Sequence, residues 1–223
     1  MKIAEASEGR IEAVRSSDCD INWGRRFADD ATLNPATMSS ANKHVMRQRF
    51  AEHDVPAPKF YEPDDALIRL GLNAHTDSPV TLIGRPSYHT RRQGFWVCNT
   101  LEEGQWALLG RGGKKAATHF VEMVYLEREF RVHVFNGKSI RISEKEFTED
   151  GDYTTVKPSF TRRRHIRDAA KAAVESVGLN FGCVDILADA EHAYALEVNA
   201  APGLGGSMPT LWANTFIKHF EEE

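Results

Sequence analysis

The stretch Phe181-Gly182-Cys183-Val184-Asp185-Ile186-Leu187, followed by Tyr194-Ala195-Leu196-Glu197-Val198-Asn199, constrains the fold more than any other part of the chain. Asp185 sits inside an otherwise apolar, strand-like run, where a charge is costly unless it is paired or bound to a cation. Period-2 alternation places Leu196 and Val198 on one face of the second strand, Glu197 and Asn199 on the other. With the hairpin turn centred near Glu191, Asp185 falls opposite Glu197, the Cβ atoms roughly 5 Å apart. Like charges in register destabilise a hairpin, so something cationic is expected between them. An Asp, a Glu and an Asn amide oxygen are hard oxygen ligands, suited to Mg²⁺ or Mn²⁺. The plainer alternative is that Asp185 bonds backbone or pairs with an arginine while Glu197 faces solvent.

The chain has 223 residues, of which 41% are hydrophobic and 27% charged, enough to bury a core without disulfides. Its formal net charge is −4, so binding to nucleic acid through overall charge is not expected. Cys19, Cys98 and Cys183 are far apart and form no Cys-x-x-Cys pair, which points to a reducing compartment. No apolar run approaches the roughly 18 residues that a membrane span needs. Residues 1–10 are polar and carry acids, unlike a signal peptide. A cytoplasmic protein is expected, with oligomeric state left open.

The elements alternate in a way that predicts an α+β fold. A helix is expected from about Ser39 to Asp54, with Ser39 or Ser40 as its capping hydroxyl, Val45, Met46 and Phe50 as its apolar face, and Pro56 and Pro58 as its stop. Strands are expected at 79–84, 95–98 and 105–109, then at 118–125 and 130–142, with a turn at Asn136-Gly137. The polar stretch 144–160 reads as a flap. A helix over 164–177 ends at Gly178, and the hairpin of the two acidic strands precedes a glycine-rich turn and a closing helix from about Thr210. The four tryptophans read as core residues.

Directly after the second strand comes Ala200-Ala201-Pro202-Gly203-Leu204-Gly205-Gly206. Together with Val184-Asp185-Ile186 and Leu196-Glu197-Val198-Asn199, it resembles the C-terminal signature of ATP-grasp carboxylate–amine ligases. That family includes D-alanine–D-alanine ligase and the RimK-type glutamate ligases. The resemblance implies that Asp185, Glu197 and Asn199 hold Mg²⁺ against ATP phosphates. Upstream, Ser40-Ala41-Asn42-Lys43 resembles the segment of the first phosphate-contacting lysine. Leu82-Ile83-Gly84-Arg85 resembles the strand of the second such base, with Arg85 where most members carry Lys. Phe120-Val121-Glu122-Met123-Val124 resembles the hinge whose backbone meets adenine, and Glu129 falls at the ribose-binding acid. The implied fold is two-lobed, with nucleotide between two mainly antiparallel sheets and the preceding Rossmann-like domain largely absent. It divides the chain into a short segment 1–35, an N-terminal lobe 36–118 and a C-terminal lobe 119–223 with the metal site. In this layout the chain is most similar to the compact ligases of bacteriophages.

The chemistry implied is ATP-dependent joining of a carboxylate to an amine, of an amino acid, peptide or protein tail, through an acyl phosphate with release of ADP. It needs positioning and charge neutralisation rather than a protein nucleophile. Arg131, Lys145 and the backbone at Gly203 are the further candidates for the reacting end, Lys145 or Lys157 reaching the γ-phosphate from the flap. A structural ion pair is the alternative for Arg131. The run Arg162-Arg163-Arg164 at a helix start is a candidate anion contact against a solvated surface. Two departures stand out. The loop after Arg85 has one glycine, Gly94, with His89, Arg91 and Arg92 as side-chain substitutes, and Cys183 stands where D-alanine–D-alanine ligases carry a carboxylate-steadying Arg. The competing readings are a non-catalytic nucleotide-binding module and a metal-dependent nuclease, the latter disfavoured because Asn199 cannot act as the lysine of an Asp…Glu-x-Lys site.

Overall fold

The computed structural model describes residues 2–12, 20–24, 31–88, 94–147, 153–158 and 164–222. Cys19, His89, Arg91, Arg92, Arg162 and Arg163 lie outside the described residues. In chain order the elements are α1 (Lys2–Ala6), α2 (Met38–Ala41), α3 (Lys43–Glu52), β1 (Phe60–Tyr61), α4 (Pro63–Leu72), β2 (Leu82–Arg85), β3 (Trp96–Cys98), α5 (Leu101–Leu109), β4 (His119–Glu122), β5 (Arg128–Phe135), β6 (Lys138–Phe147), β7 (Tyr153–Pro158), α6 (Arg164–Ser176), β8 (Phe181–Ala188), β9 (Ala193–Asn199) and α7 (Met208–Glu222). They build two antiparallel sheets, one of four strands in the order β1-β4-β2-β3 and one of five in the order β7-β6-β5-β8-β9. The α+β expectation holds. β4 starts just past residue 118 and is hydrogen-bonded within the four-stranded sheet. Among the described residues no helix is long and apolar enough to cross a membrane.

Three apolar clusters hold these layers. Alternate residues of β5 and β8 (Phe130, Val132 and Val134; Val184 and Ile186) pack with Ile166, Ala170 and Val174 of α6 and with Met46 and Phe50 of α3. Leu70 of α4 and Ala107 of α5 pack on Leu82 and Phe120 of the four-stranded sheet. On the opposite face of the five-stranded sheet, Phe135 and Phe181 meet Trp212 and Phe216 of α7. Trp23 of the N-terminal segment closes this cluster, stacked on Phe181 at 5.4 Å and edge-on to Trp212 at 5.5 Å. The following Gly24 has φ +82°, and a Cβ there would lie 2.5 Å from Ala201 Cβ, so only glycine fits. The segment thus lies against the loop that follows Asn199.

Four expectations change. Residues 105–109 are helical: Thr100 and Glu103 form a capping box, and Gly110 ends α5 in the left-handed region, signals that outrank a short apolar run. Trp106 on α5 is 37% exposed rather than core. The helix expected from Ser39 is broken in two. Ser40 Oγ donates back to the Thr37 carbonyl, and the cap of α3 is Asn42, whose side chain accepts from the His44 and Val45 N–H groups. Finally, residues 144–147 and 153–158 are strand rather than irregular flap. β6 runs on to Phe147 and pairs with β7, while its polar residues are paired on the other side by β5, as in Arg128–Glu144 and Lys145–Glu129.

Candidate active site

α3 lies where the two sheets meet. On one side Arg47 donates to the Ala195 and Leu196 carbonyls of β9, and the Val198 N–H donates to Met46 Sδ. On the other, His44 and Gln48 bond Glu62, and the His44 ring stacks on His119 of β4. The first N–H of α3, that of Lys43, donates to the Ser87 carbonyl just after β2, 2.8 Å away. This interlock places the Lys43 ammonium 2.8 Å from Glu197 Oε1 and 3.2 Å from the Ser40 carbonyl. Arg85, at the end of β2, also faces Glu197 and Arg47 electrostatically.

The register of the five-stranded sheet organises the rest. On the face away from α6, Ser143, Arg131, Asp185 and Glu197 form one cross-strand row; Arg141, His133, Cys183 and Asn199 form the next. Asp185 does meet Glu197, with a bulge in the ladder. Leu187 pairs with Tyr194 and Ile186 with Ala195, so an unbroken ladder would set Asp185 against Leu196; the bulge absorbs one residue. It also moves Leu196 off the Val198 face: Ala193, Ala195 and Val198 are buried, while Leu196 and Glu197 are half-buried.

Each of the two carboxylates carries its own side-chain cation, Lys43 on Glu197 and a pair on Asp185. Arg131 Nε and Nη2 bond the two oxygens of Asp185 at 2.9 and 3.2 Å, and Lys145 Nζ lies 2.8 Å from Asp185 Oδ2 while also pairing with Glu129. Lys145 is therefore a fixed strand residue rather than a flap residue, with its side chain only 4% exposed. Lys157 lies in β7, its side chain outside the described residues. Arg164 makes an exposed pair with Asp168 on its own helix at 3.2 Å.

Burial pushes the Asp185 carboxyl up, but the Arg131 hydrogen bonds and the charges of Lys145 and Arg131 outweigh it, so Asp185 sits below the usual carboxylate range. Lys145 is the mirror image: burial opposes its charge, and Asp185 with Glu129 overcomes this and raises its pKa. Burial, reinforced by Arg85, lowers Arg47 to about 10 against the pull of Glu197. Burial also lowers Arg85. In the second row, burial and the flanking Arg131 and Arg141 hold His133 down to about 4, a neutral imidazole. Burial pushes the Cys183 thiol well up, which makes it inert packing.

The remaining candidates sit around this cluster. Glu122 ends β4, and Met123 and Val124 lead from one sheet to the other. The Glu122 and Met123 N–H groups are committed to the Lys59 and Thr81 carbonyls, whereas no backbone bond among the described residues engages the Val124 N–H. Glu129 lies on β5 beside Lys145. Asn199 ends β9 opposite Cys183. A Cβ at Gly203 or Gly205 would meet nothing within 4 Å, so this loop is open. Sequence reasoning missed Arg47, which is buried and shares the face of Lys43 four residues on; the i,i+4 spacing was the available signal.

Two carboxylates and an amide oxygen on adjacent strands are a donor set that fits Mg²⁺, which is commonly held by one or two carboxylates plus substrate phosphates. Among the described residues no group of three or more His, Cys, Asp or Glu could hold a metal by itself.

No protein-family model and no curated protein matches the chain. Solved structures do. The D-cycloserine synthetase DcsG matches with a TM-score of 0.63 at 17% identity, over 98% of this chain and 93% of its own. The chain has the ATP-grasp fold. The ATP-grasp ligase PsnB, complexed with minimal precursor, matches at TM-score 0.62 and 16% identity, over 86% of this chain and 65% of its own. D-alanine–D-alanine ligase from Bacillus anthracis matches at 0.58 and 15%, over 82% and 69%. This ATP-grasp chain therefore spans about two thirds of those two proteins and nearly all of the first. In the ATP-grasp frame, the charged row and α3 occupy the junction between the sheets.

Proposed function

We propose that this ATP-grasp chain is an ATP-dependent, ADP-forming carboxylate–amine ligase. The observation that carries the reading is the cross-strand pair Asp185–Glu197 ringed by Lys43, Arg47, Arg85, Arg131 and Lys145 at the junction of the two sheets. So many charges are costly to bury together unless a charged ligand uses them.

In this reading Lys43 and Arg85 neutralise the ATP phosphates, Glu129 receives the ribose, and the adenine edge meets Glu122, Met123 and Val124. Asp185, Glu197 and Asn199 would hold Mg²⁺ or Mn²⁺, which when bound supplies charge neutralisation across the phosphate oxygens. Arg131 and Lys145 hold the Asp185 carboxylate in place and kept ionised. The substrate carboxylate attacks the γ-phosphorus, and ADP leaves. An amine then attacks the acyl carbon of the acyl phosphate and expels phosphate. No protein nucleophile is required, and the cluster contains none in an activated state. The open loop at Gly203 leaves backbone N–H groups accessible to the developing oxyanion.

The test is ADP release with Mg²⁺, hydroxylamine as acceptor, and pooled carboxylates including amino acids and peptides. ATP-dependent hydroxamate is expected from the wild type and at least a roughly 100-fold loss in Glu197→Ala, the scale of removing a group that acts on transferring phosphate. ATP binding without ADP or hydroxamate from any pool would favour a non-catalytic nucleotide-binding module, and no ATP binding would sink both.

A further inference from the structure

β8 and β9 do not pair in the register of an even hairpin, and a single buried side chain meets the odd residue. Ala195 pairs with Ile186 and Glu197 with Asp185, so Leu196 between them has no partner on β8. A bulged residue drops out of the ladder, and its carbonyl then needs a donor from elsewhere. Arg47 is that donor. Its Nη2 donates to the Leu196 carbonyl and its Nη1 to the Ala195 carbonyl, the latter 3.2 Å away.

Arg47 reaches the strand from α3. It is 8% exposed, with its guanidinium 5.7 Å from the centre of the Phe50 ring. On either side of it, the Ala195 N–H donates to the Pro56 carbonyl at 2.7 Å and the Val198 N–H to Met46 Sδ. The outer edge of β9 at 195–198 is therefore held by α3 and by the chain just after it. A guanidinium presents its N–H groups as a rigid fork that fits two successive carbonyls, whereas an ammonium is a point donor. Burial opposes the charge and lowers the Arg47 pKa to about 10, and Glu197 pulls the other way.

The bulge decides which side chain meets Asp185. In an even ladder Leu196 would stand there, and Glu197 would fall opposite Val184, on the apolar face packed against α6. Lys43, one turn earlier on α3, is 2.8 Å from Glu197 Oε1. Arg47 thus ties the helix that carries the lysine to the strand that carries the carboxylate.

We infer that Arg47 is a positioning residue: its fork on the Ala195 and Leu196 carbonyls holds the β9 bulge and so sets Glu197 opposite Asp185. The consequence for metal binding rests on the ligase reading; the register itself does not.

Two readouts on the full-length protein test this, in wild type, Arg47→Met and Arg47→Lys. Cross-strand nuclear Overhauser contacts report the register with no ligand present: Asp185 against Glu197 in the bulged hairpin, Asp185 against Leu196 in an even one. Mn²⁺ titrated at saturating ADP reports the carboxylates. Wild type should show the bulged contacts. Arg47→Met exchanges a buried charge for an apolar chain and should stay folded in a thermal melt. It should lose the Asp185–Glu197 contact and bind Mn²⁺ at least roughly 10-fold more weakly, the scale of removing a group that orients a metal ligand. Arg47→Lys should fall in between, and it replaces Arg47→Met in both readouts if the latter does not fold. A folded variant that keeps the contact, or loses it yet keeps Mn²⁺ within twofold, would overturn the inference. A wild type with the bulge that binds neither ADP nor Mn²⁺ would overturn the ligase reading instead, and the contacts in the variants would still decide the role of Arg47 in the register.

Discussion

At the scale of single residues, the site is a set of buried charges that hold one another. Asp185 takes hydrogen bonds from Arg131 and contacts Lys145, and all three are largely shielded from water. Such an arrangement contributes little net stability when complete, yet removing one member leaves a charge buried without its counterpart. Asp185→Asn is therefore expected to destabilise the protein by about 3–5 kcal/mol. Adding Arg131→Gln should recover part of that loss, because it removes one of the two cations that face the Asp185 carboxylate. Urea unfolding of the two single variants and the double variant measures this, and strictly additive losses would show that the pair is not coupled. Asp185 was legible as a buried charge from its apolar neighbours. Its partners were not, since Arg131 and Lys145 lie 54 and 40 residues away and only the strand register joins them.

Elements decide where the charges point. Lys43 opens α3, so the cap that starts this helix also aims the lysine at Glu197. Loss of the cap in Asn42→Ala should cost about 1 kcal/mol. It should weaken ATP binding as well, whereas Ser39→Ala should change neither; thermal melts and ATP titration of both variants check this. An equal effect of the two substitutions would return the cap to the serines. Here the serines were misleading because Ser40 and Asn42 are both good capping residues, and the choice fell to the backbone break at Asn42, where φ is −87° and ψ 106°. The polar strand β6 was misleading for another reason. Charged residues on a strand look like loop in a pattern of apolar positions, but cross-strand ion pairs make them part of a sheet.

Across the whole molecule, the buried imidazole of His133 couples stability to pH. Its pKa is about 4 in the folded protein against 6.5 for a histidine in water, so only the unfolded chain takes up this proton as pH falls between those values. The contribution is fully present above pH 6.5 and is lost as pH drops to about 4, amounting to roughly 3 kcal/mol at most. Asp185, whose pKa is lowered, loses its own contribution only further into acid. Denaturant unfolding from pH 7 to 4 should therefore show a steep decline in wild type and a flatter one in His133→Gln. Parallel slopes would place the lost proton elsewhere.

The sequence by itself determined the class of fold, the acidic hairpin and the ordered segments that resemble ATP-grasp ligases, because alternation, turn residues and short motifs are local properties. It also placed Asp185 opposite Glu197, although a bulge rather than an even ladder brings them together. Tertiary structure alone decided which cations sit on those carboxylates, that Arg47 joins them, and that Arg141 and His133 share a row with Cys183. The physical reason is that charge pairing and burial depend on distance in space. Neighbours brought together by sheet register and by the docking of α3 leave no periodic trace along the chain.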